Sequence, residues 1–145
     1  MKYNYYIGID PGVNTGFAVW CTSLRSFLFV SRSSILEVME IVHAFSQMES
    51  MTVFVRIEDA RQRRWIPKQK NEKAERGRNR GAGSVMRDCQ IWEEFCKKHG
   101  IAYEMVAPKN NKTKMSAAYF KSISGFGGKT NEHGRDAAAL VIGMK

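Results

Sequence analysis

An apolar strand that ends on a carboxylate is the feature that most limits how this chain can fold. Residues 7–16 read Ile-Gly-Ile-Asp-Pro-Gly-Val-Asn-Thr-Gly, and Tyr5–Ile9 is predicted to be a buried strand. Desolvating a lone carboxylate at the end of such a strand is costly unless a cation faces it. The proline and glycine that follow turn the chain, and Gly12 and Gly16 are expected to permit unusual backbone geometry and close approach. Asp10 is therefore either a cation-binding residue or the cap of a hairpin turn.

The composition predicts one globular domain that spans residues 1–145. Hydrophobic residues make up 43% of the chain and charged residues 26%, which is ordinary for such a domain. No apolar run approaches the roughly 20 residues that span a bilayer, and the N-terminus lacks a signal-peptide pattern, so we expect a cytoplasmic protein. The three cysteines, Cys21, Cys89 and Cys96, contain no Cys-x-x-Cys pair and are predicted to be reduced core residues.

Positive charge is concentrated in one segment of the sequence. The chain carries a net charge of +9, which favours a polyanionic partner because Lys and Arg neutralise phosphates and release counterions. Between Arg61 and Arg80 there are nine basic residues and two acidic ones, so most of the excess charge lies there. The segment has little apolar periodicity and contains three glycines. Residues 61–83 are therefore predicted to form a long basic loop.

Apolar periodicity predicts an α/β fold with five strands and four helices. The strands are expected at Tyr5–Ile9, Gly16–Trp20, Ser26–Ser31, Thr52–Ile57 and Ile101–Val106. The helices are expected at Ile35–Gln47, Ser84–His99, Met115–Ser122 and from Asn131 to about Gly143. Ser34 and Glu37 form a capping-box pattern at the start of the first helix. This order of elements implies a mixed sheet with helices on both faces.

The helix predicted at Ser84–His99 has too many apolar residues for a single stripe. These residues are Val85, Met86, Cys89, Ile91, Trp92, Phe95 and Cys96. Such a helix is expected to bury one face against its own sheet and another against a second copy of the chain. The sequence therefore predicts a homodimer that forms through residues 84–99.

Acidic residues end two of the predicted strands. Asp10 follows the first strand, and Glu58 follows the strand at Thr52–Ile57. If these strands are adjacent and parallel, with the first helix as their crossover, their ends lie about 5 Å apart. Two carboxylates at that separation repel each other unless a cation lies between them.

The last helix is expected to complete this site. His133 and Asp136 are three residues apart and so lie on one helical face, which continues into apolar residues. Three carboxylates and one imidazole favour Mg²⁺ or Mn²⁺ over zinc. Two such ions about 4 Å apart can stabilise both the attacking and the leaving oxygen of a phosphodiester. Asp10, Glu58, His133 and Asp136 are therefore the candidate catalytic and metal-binding residues.

The motifs that surround these residues resemble those of a known nuclease family. The patterns Gly8-Ile9-Asp10-Pro11-Gly12…Thr15-Gly16, Ile57-Glu58 and His133-Gly-Arg-Asp136-Ala-Ala-Ala-Leu140 are similar to those of the RuvC-type Holliday junction resolvases of the RNase H-like superfamily. The resemblance implies an RNase H-like fold and a homodimer that nicks opposing strands of a four-way DNA junction with Mg²⁺. It places Asp10, Glu58 and Asp136 at the family's catalytic acids. His133 falls where many members carry Asp and some carry His.

DNA contacts are expected from the basic segment and from two later lysines. The candidates in the segment are Arg61, Arg63, Arg64, Trp65, Lys68 and Lys70, where Trp65 either stacks on a base or anchors the loop to the domain. The resemblance places contacts to the scissile region before the last helices, where Lys112 and Lys114 match by location and are otherwise solvated loop lysines.

Two other functions remain compatible with these motifs. A junction- or duplex-binding protein with weak catalysis would keep the sheet and the basic surface. An RNase H-like nuclease that cuts RNA–DNA hybrids would keep the acidic residues as well, because such a site reads backbone phosphates.

Overall fold

The fold is taken from a computed structural model that describes residues 2–63, 71–109 and 114–145. Its strands are β1 (Tyr5–Asp10), β2 (Thr15–Cys21), β3 (Ser26–Ser33), β4 (Val53–Glu58) and β5 (Ala102–Val106). Its helices are α1 (Ile35–Gln47), α2 (Glu72–His99), α3 (Ala117–Ser124) and α4 (Glu132–Ala139), and a 3₁₀ turn covers Ala60–Gln62. The predicted strands are confirmed to within two residues at each end.

The strands form one mixed sheet in the order β3-β2-β1-β4-β5. β1, β2 and β3 pair antiparallel as a meander. β4 pairs parallel with β1, and β5 pairs parallel with β4. The predicted parallel pairing of the first strand with the strand that ends at Glu58 is thus confirmed, and it brings the carboxyl ends of β1 and β4 to the same edge.

Helices cover both faces of the sheet, as predicted. One face carries α1 and α2, and its core includes Ile7, Val55, Val38 and Trp92. The other face carries α3 and α4, and its core contains Ala18, Trp20, Val30, Phe120, Ala137 and Val141. Successive strand residues point to opposite faces. The even-numbered residues of β1 therefore face α4.

The prediction of a loop over residues 61–83 is wrong for residues 72–83, which are helical. α2 begins at Glu72, and the side chain of Asn71 caps it by accepting a hydrogen bond from the amide of Ala74 at 2.8 Å. The first three turns of α2 are largely exposed and contribute no buried residue before Cys89. Apolar residues recur at helical spacing only where one face of a helix is buried. A solvent-exposed helix therefore lacks the pattern that would identify it in the sequence. The predicted loop residues 64–70 lie outside the described residues.

The other helix ends differ modestly from the sequence predictions. Ser34 caps α1 by accepting from the amide of Glu37, as predicted, but the Glu37 carboxylate bonds to the hydroxyl of Ser33. α3 begins two residues later than predicted, because Ser116 is its cap. The last helix ends at Ala139, and turns follow over residues 140–143.

The cysteines are confirmed as core residues, since Cys21, Cys89 and Cys96 are all buried and free. Across the described ranges, no helix is both long enough and apolar enough to cross a bilayer.

Candidate active site

Two carboxylates meet where β1 and β4 end. Ile9 pairs with Ile57 in the parallel register, so Asp10 and Glu58 occupy the next position on each strand. Because alternate residues of a strand point to the same face, Asp10 and Glu58 point to the same face of the sheet as Gly8, and that face packs against α4. The Asp10 side chain is 17% exposed, and Glu58 is partly buried. The topology therefore places two acids side by side beneath the first turn of α4.

Glycines on the sheet allow α4 to lie directly on its backbone. A β-carbon on Gly8 would overlap the carbonyl oxygen of Ala137, and one on Gly16 would overlap that of His133. On the helix, a β-carbon on Gly134 would lie 3.0 Å from the carbonyl oxygen of Ser31. The close approach predicted for Gly16 is thus present. Gly12 differs, because its φ is not positive and an added β-carbon would meet only ordinary contact at 3.8 Å.

The approach of α4 brings His133 to Asp10. Nδ1 of His133 lies 3.1 Å from Oδ2 of Asp10, and the imidazole is 42% exposed. Arg135 anchors the same helical turn, since its guanidinium donates to the carbonyls of Met115 and Thr130 and to the Thr130 hydroxyl. This anchor went unrecognised in the sequence, where Arg135 is one more basic residue of a basic chain.

The pKa shifts show that the strand-end acids share one electrostatic environment. Burial raises the pKa of Asp10, and the negative charge of Asp136 raises it further, against a hydrogen bond from His133. Burial also raises the pKa of Glu58, followed by the charges of Asp10 and Asp136. Ionisation of Asp10 and Glu58 is therefore opposed both by burial and by the charge of Asp136 on α4, and a cation would relieve that cost.

Lys114 supplies positive charge at this place. Its Nζ lies 2.6 Å from Oδ2 of Asp136 and 3.4 Å from Oε1 of Glu132. Partial burial opposes the ammonium form, yet these two carboxylates raise the pKa of Lys114. The sequence indicated Lys114 only because it lies in the segment before the last helices. Its ion pairs were not foreseen, because they depend on how the segment before α3 meets α4.

The donor set fits a hard divalent cation by its chemistry. Carboxylate oxygens are the ligands that Mg²⁺ and Mn²⁺ prefer, and an imidazole is compatible with Mn²⁺. The repulsion among Asp10, Glu58 and Asp136 is the electrostatic signature expected of such a site. Among the described residues, however, no three His, Cys, Asp or Glu side chains already converge as a coordination sphere. Asp136 is instead held by Lys114.

Arg61, a predicted DNA contact, is an exposed residue whose guanidinium binds two acids of the protein itself. Its guanidinium makes two hydrogen bonds to the buried carboxylate of Asp59, at 2.7 and 3.0 Å, and an ion pair with Glu93 at 2.9 Å. These contacts lower the pKa of Asp59 despite its burial. Arg61 therefore joins the 3₁₀ turn to α2. Arg63 is exposed, and its charge acts on Glu58.

The remaining predicted DNA contacts have no structural description. Arg64, Trp65, Lys68, Lys70 and Lys112 all lie outside the described residues.

The exposed half of α2 carries a basic stripe that the sequence analysis missed. The basic stripe consists of Lys73, Arg76, Arg80 and Arg87, all of which are exposed. At about 100° per residue these four positions span an arc of roughly 60°, opposite the buried Cys89, Trp92 and Cys96. The charges were visible in the sequence, but their alignment follows only once the segment is known to be helical.

Comparison with known proteins supports the fold. No protein-family model and no curated protein sequence matches this chain. Among solved structures, the chain is similar to T. thermophilus RuvC in complex with Holliday junction substrate, with a TM-score of 0.59 and 16% sequence identity. The match covers 95% of this chain and 90% of that one. The five-stranded sheet with helices on both faces therefore has the RuvC-like, RNase H-like fold, which the resemblance in the sequence had implied.

Proposed function

We propose that this chain is a metal-dependent endonuclease that resolves four-way DNA junctions or other branched DNA by paired nicking. The observation that carries the proposal is the placement of Asp10 and Glu58 at neighbouring strand ends, with His133 at 3.1 Å from Asp10 and the charge of Asp136 acting on both acids. The RuvC-like fold supports a nuclease of the resolvase kind, since a similar structure is bound to a Holliday junction.

The four residues of the candidate site have distinct roles in this proposal. Asp10, Glu58 and Asp136 would hold two Mg²⁺ ions, with Mn²⁺ as a substitute, and His133 would be the fourth ligand. The ions supply charge that stabilises the attacking and leaving oxygens of the phosphodiester. If Nδ1 of His133 donates its proton to Asp10, Nε2 is left as an acceptor. That nitrogen would then be the one through which His133 binds a metal ion.

The DNA-binding surface in this proposal includes the basic stripe. Lys73, Arg76, Arg80 and Arg87 present their charges on the side of α2 that faces away from the core. No described atom lies within 4 Å of a β-carbon placed on Gly77, Gly81 or Gly83 along the same half of the helix. Phosphates can therefore approach this half of α2 closely, and the resulting affinity should fall steeply with salt.

A homodimer is part of the proposal, because a resolvase must nick two opposing strands. Val85 and Met86 on α2 are half-buried and join neither core cluster. A second copy of α2 packed against them would bury this apolar area. Light scattering at micromolar concentration should give twice the chain mass, and a monomer mass would contradict the dimer.

The substrate is tested by incubating the protein with labelled four-way junction, duplex, flap and RNA–DNA hybrid, each with and without Mg²⁺. We expect paired nicks in the junction that require Mg²⁺, with slower cleavage of the duplex. Preferential cleavage of the hybrid would indicate an RNase H-like nuclease. Tight junction binding without cleavage in Mg²⁺ or Mn²⁺ would indicate a binding protein, and either result would overturn the proposal.

A further inference from the structure

An ammonium group lies among the carboxylates of the candidate site. Nζ of Lys114 is 2.6 Å from Oδ2 of Asp136, which is a direct charge-assisted hydrogen bond. The same nitrogen reaches Glu132, one turn earlier on α4, at 3.4 Å. Lys114 precedes α3, so these contacts tie the start of one helix to the first turns of the next.

The influence of this charge extends past its direct partners. Lys114 favours the ionised forms of both Asp10 and Glu58, which belong to the sheet. Its ammonium therefore pairs with the carboxylates of Glu132 and Asp136 and acts at longer range on those of Asp10 and Glu58. Arg63 also acts on Glu58, whereas Lys114 is bonded directly to Asp136.

We propose that Lys114 is the internal counter-ion of the candidate site, and that its ammonium competes with a divalent cation for Asp136. The inference rests on the proposed metal-dependent function. It follows because an oxygen of Asp136 that is hydrogen-bonded to an ammonium is a poorer ligand, and because two cations at one carboxylate repel each other.

The competition gives Lys114 a second role. When a divalent cation takes Asp136, the ammonium is released beside the metal-loaded site, where a substrate phosphate provides its next anion. Lys114 is then a positioning residue whose availability depends on metal. In the metal-free protein the same residue neutralises the acids and holds α4 in place.

The first test is a calorimetric titration of Mn²⁺ into metal-stripped protein without DNA. Lys114→Met should bind Mn²⁺ roughly three- to tenfold more tightly than the wild type, because a competing ion pair is removed. Lys114→Arg keeps the charge and should bind nearly as the wild type does. Lys129→Met is the matched control, since Lys129 is an exposed lysine elsewhere on the surface, and it should leave the affinity unchanged.

The second test distinguishes direct displacement from a general effect of charge. Reductive methylation followed by mass spectrometry reports the reactivity of each lysine amine. Mn²⁺ should increase the modification of Lys114 severalfold and leave that of Lys129 unchanged, because the released amine is no longer paired with carboxylates.

This inference is overturned if the wild type and Lys114→Met bind Mn²⁺ equally well, or if Mn²⁺ does not change the reactivity of Lys114. Either result would leave the proposed nuclease function standing. A wild-type protein that binds no Mn²⁺ at millimolar concentration would overturn both.

Discussion

The backbone of His133 packs directly against Gly16, so closely that a β-carbon on Gly16 would overlap the His133 carbonyl oxygen. This contact sets the height of α4 above the sheet at the point where Nδ1 of His133 meets Asp10. The candidate site can therefore form from β1, β4 and α4 only because Gly16 on β2 has no side chain.

Gly16→Ala should destabilise the fold and displace the site. The new methyl group forces α4 away from β2, and overpacking of this kind costs about 2–3 kcal/mol of unfolding free energy. Gly12→Ala is the matched control in the turn that precedes β2, because its β-carbon would meet only ordinary contact. Urea unfolding of both variants checks the prediction. Equal stability of the two would show that α4 does not lie on the sheet as described.

Metal-free Asp10→Asn should be more stable than the wild type at pH 7. Burial raises the pKa of Asp10 above its ordinary value of 3.8 in the folded chain, so the folded state holds that proton more tightly than the unfolded state does. The wild type therefore loses stability as the pH rises through the folded pKa. Asp59 has a lowered pKa and acts in the opposite direction, but it is common to both proteins and cancels.

Thermal unfolding in EDTA at pH 4 and pH 7 measures this difference. The melting temperature of Asp10→Asn should exceed that of the wild type by a few degrees at pH 7, and the gap should shrink at pH 4. A gap that is the same at both pH values would mean that the Asp10 carboxylate carries no such cost.

Arg61→Gln should affect stability and leave the salt dependence of DNA binding almost unchanged. The substitution removes a bidentate partner from Asp59, whose residue is only 3% exposed. Leaving that carboxylate with fewer donors should cost about 2–3 kcal/mol. Urea unfolding measures the loss, and a variant as stable as the wild type would show that Arg61 is dispensable to the fold.

The double variant Arg76→Gln/Arg80→Gln should behave in the opposite way. Both residues belong to the exposed basic stripe, so stability should be nearly unchanged. The slope of log affinity against log salt should flatten by about 0.9 for each phosphate that the variant no longer neutralises. Fluorescence anisotropy with a labelled junction at several salt concentrations measures the slope. If the slope matches that of the wild type, the DNA follows another surface.

The placement of Asp10 and Glu58 could be predicted because it depends on local rules. Each acid directly follows an apolar, β-branched strand, and parallel pairing brings such positions to one edge of the sheet. Helical spacing likewise put His133 and Asp136 on one face of α4. The contact between His133 and Asp10 then required only that α4 cover that edge.

Contacts that join distant segments could not be read from the sequence. Arg61 looked like one more charge in a basic run, and its pairing with Asp59 and Glu93 depends on where α2 crosses the 3₁₀ turn. The basic stripe escaped notice because the part of α2 that carries it has no buried residue before Cys89 and so lacks apolar periodicity. Lys114 was placed near the site by location, whereas its bond to Asp136 is a tertiary contact.

The central claim, that the acids of the candidate site catalyse metal-dependent cleavage of branched DNA, is tested most directly with Asp10→Asn. The measurement is the rate of nicking of a labelled four-way junction in Mg²⁺, together with junction affinity in EDTA. Glu49→Gln is the control, since Glu49 is an exposed acid outside the site. We predict that Asp10→Asn abolishes nicking, because it removes charge that would hold the metal ions, and keeps its junction affinity, while Glu49→Gln is unchanged in both. If Asp10→Asn nicks the junction at the wild-type rate, the account is contradicted. Nicking by the wild-type protein that continues in EDTA would contradict it as well.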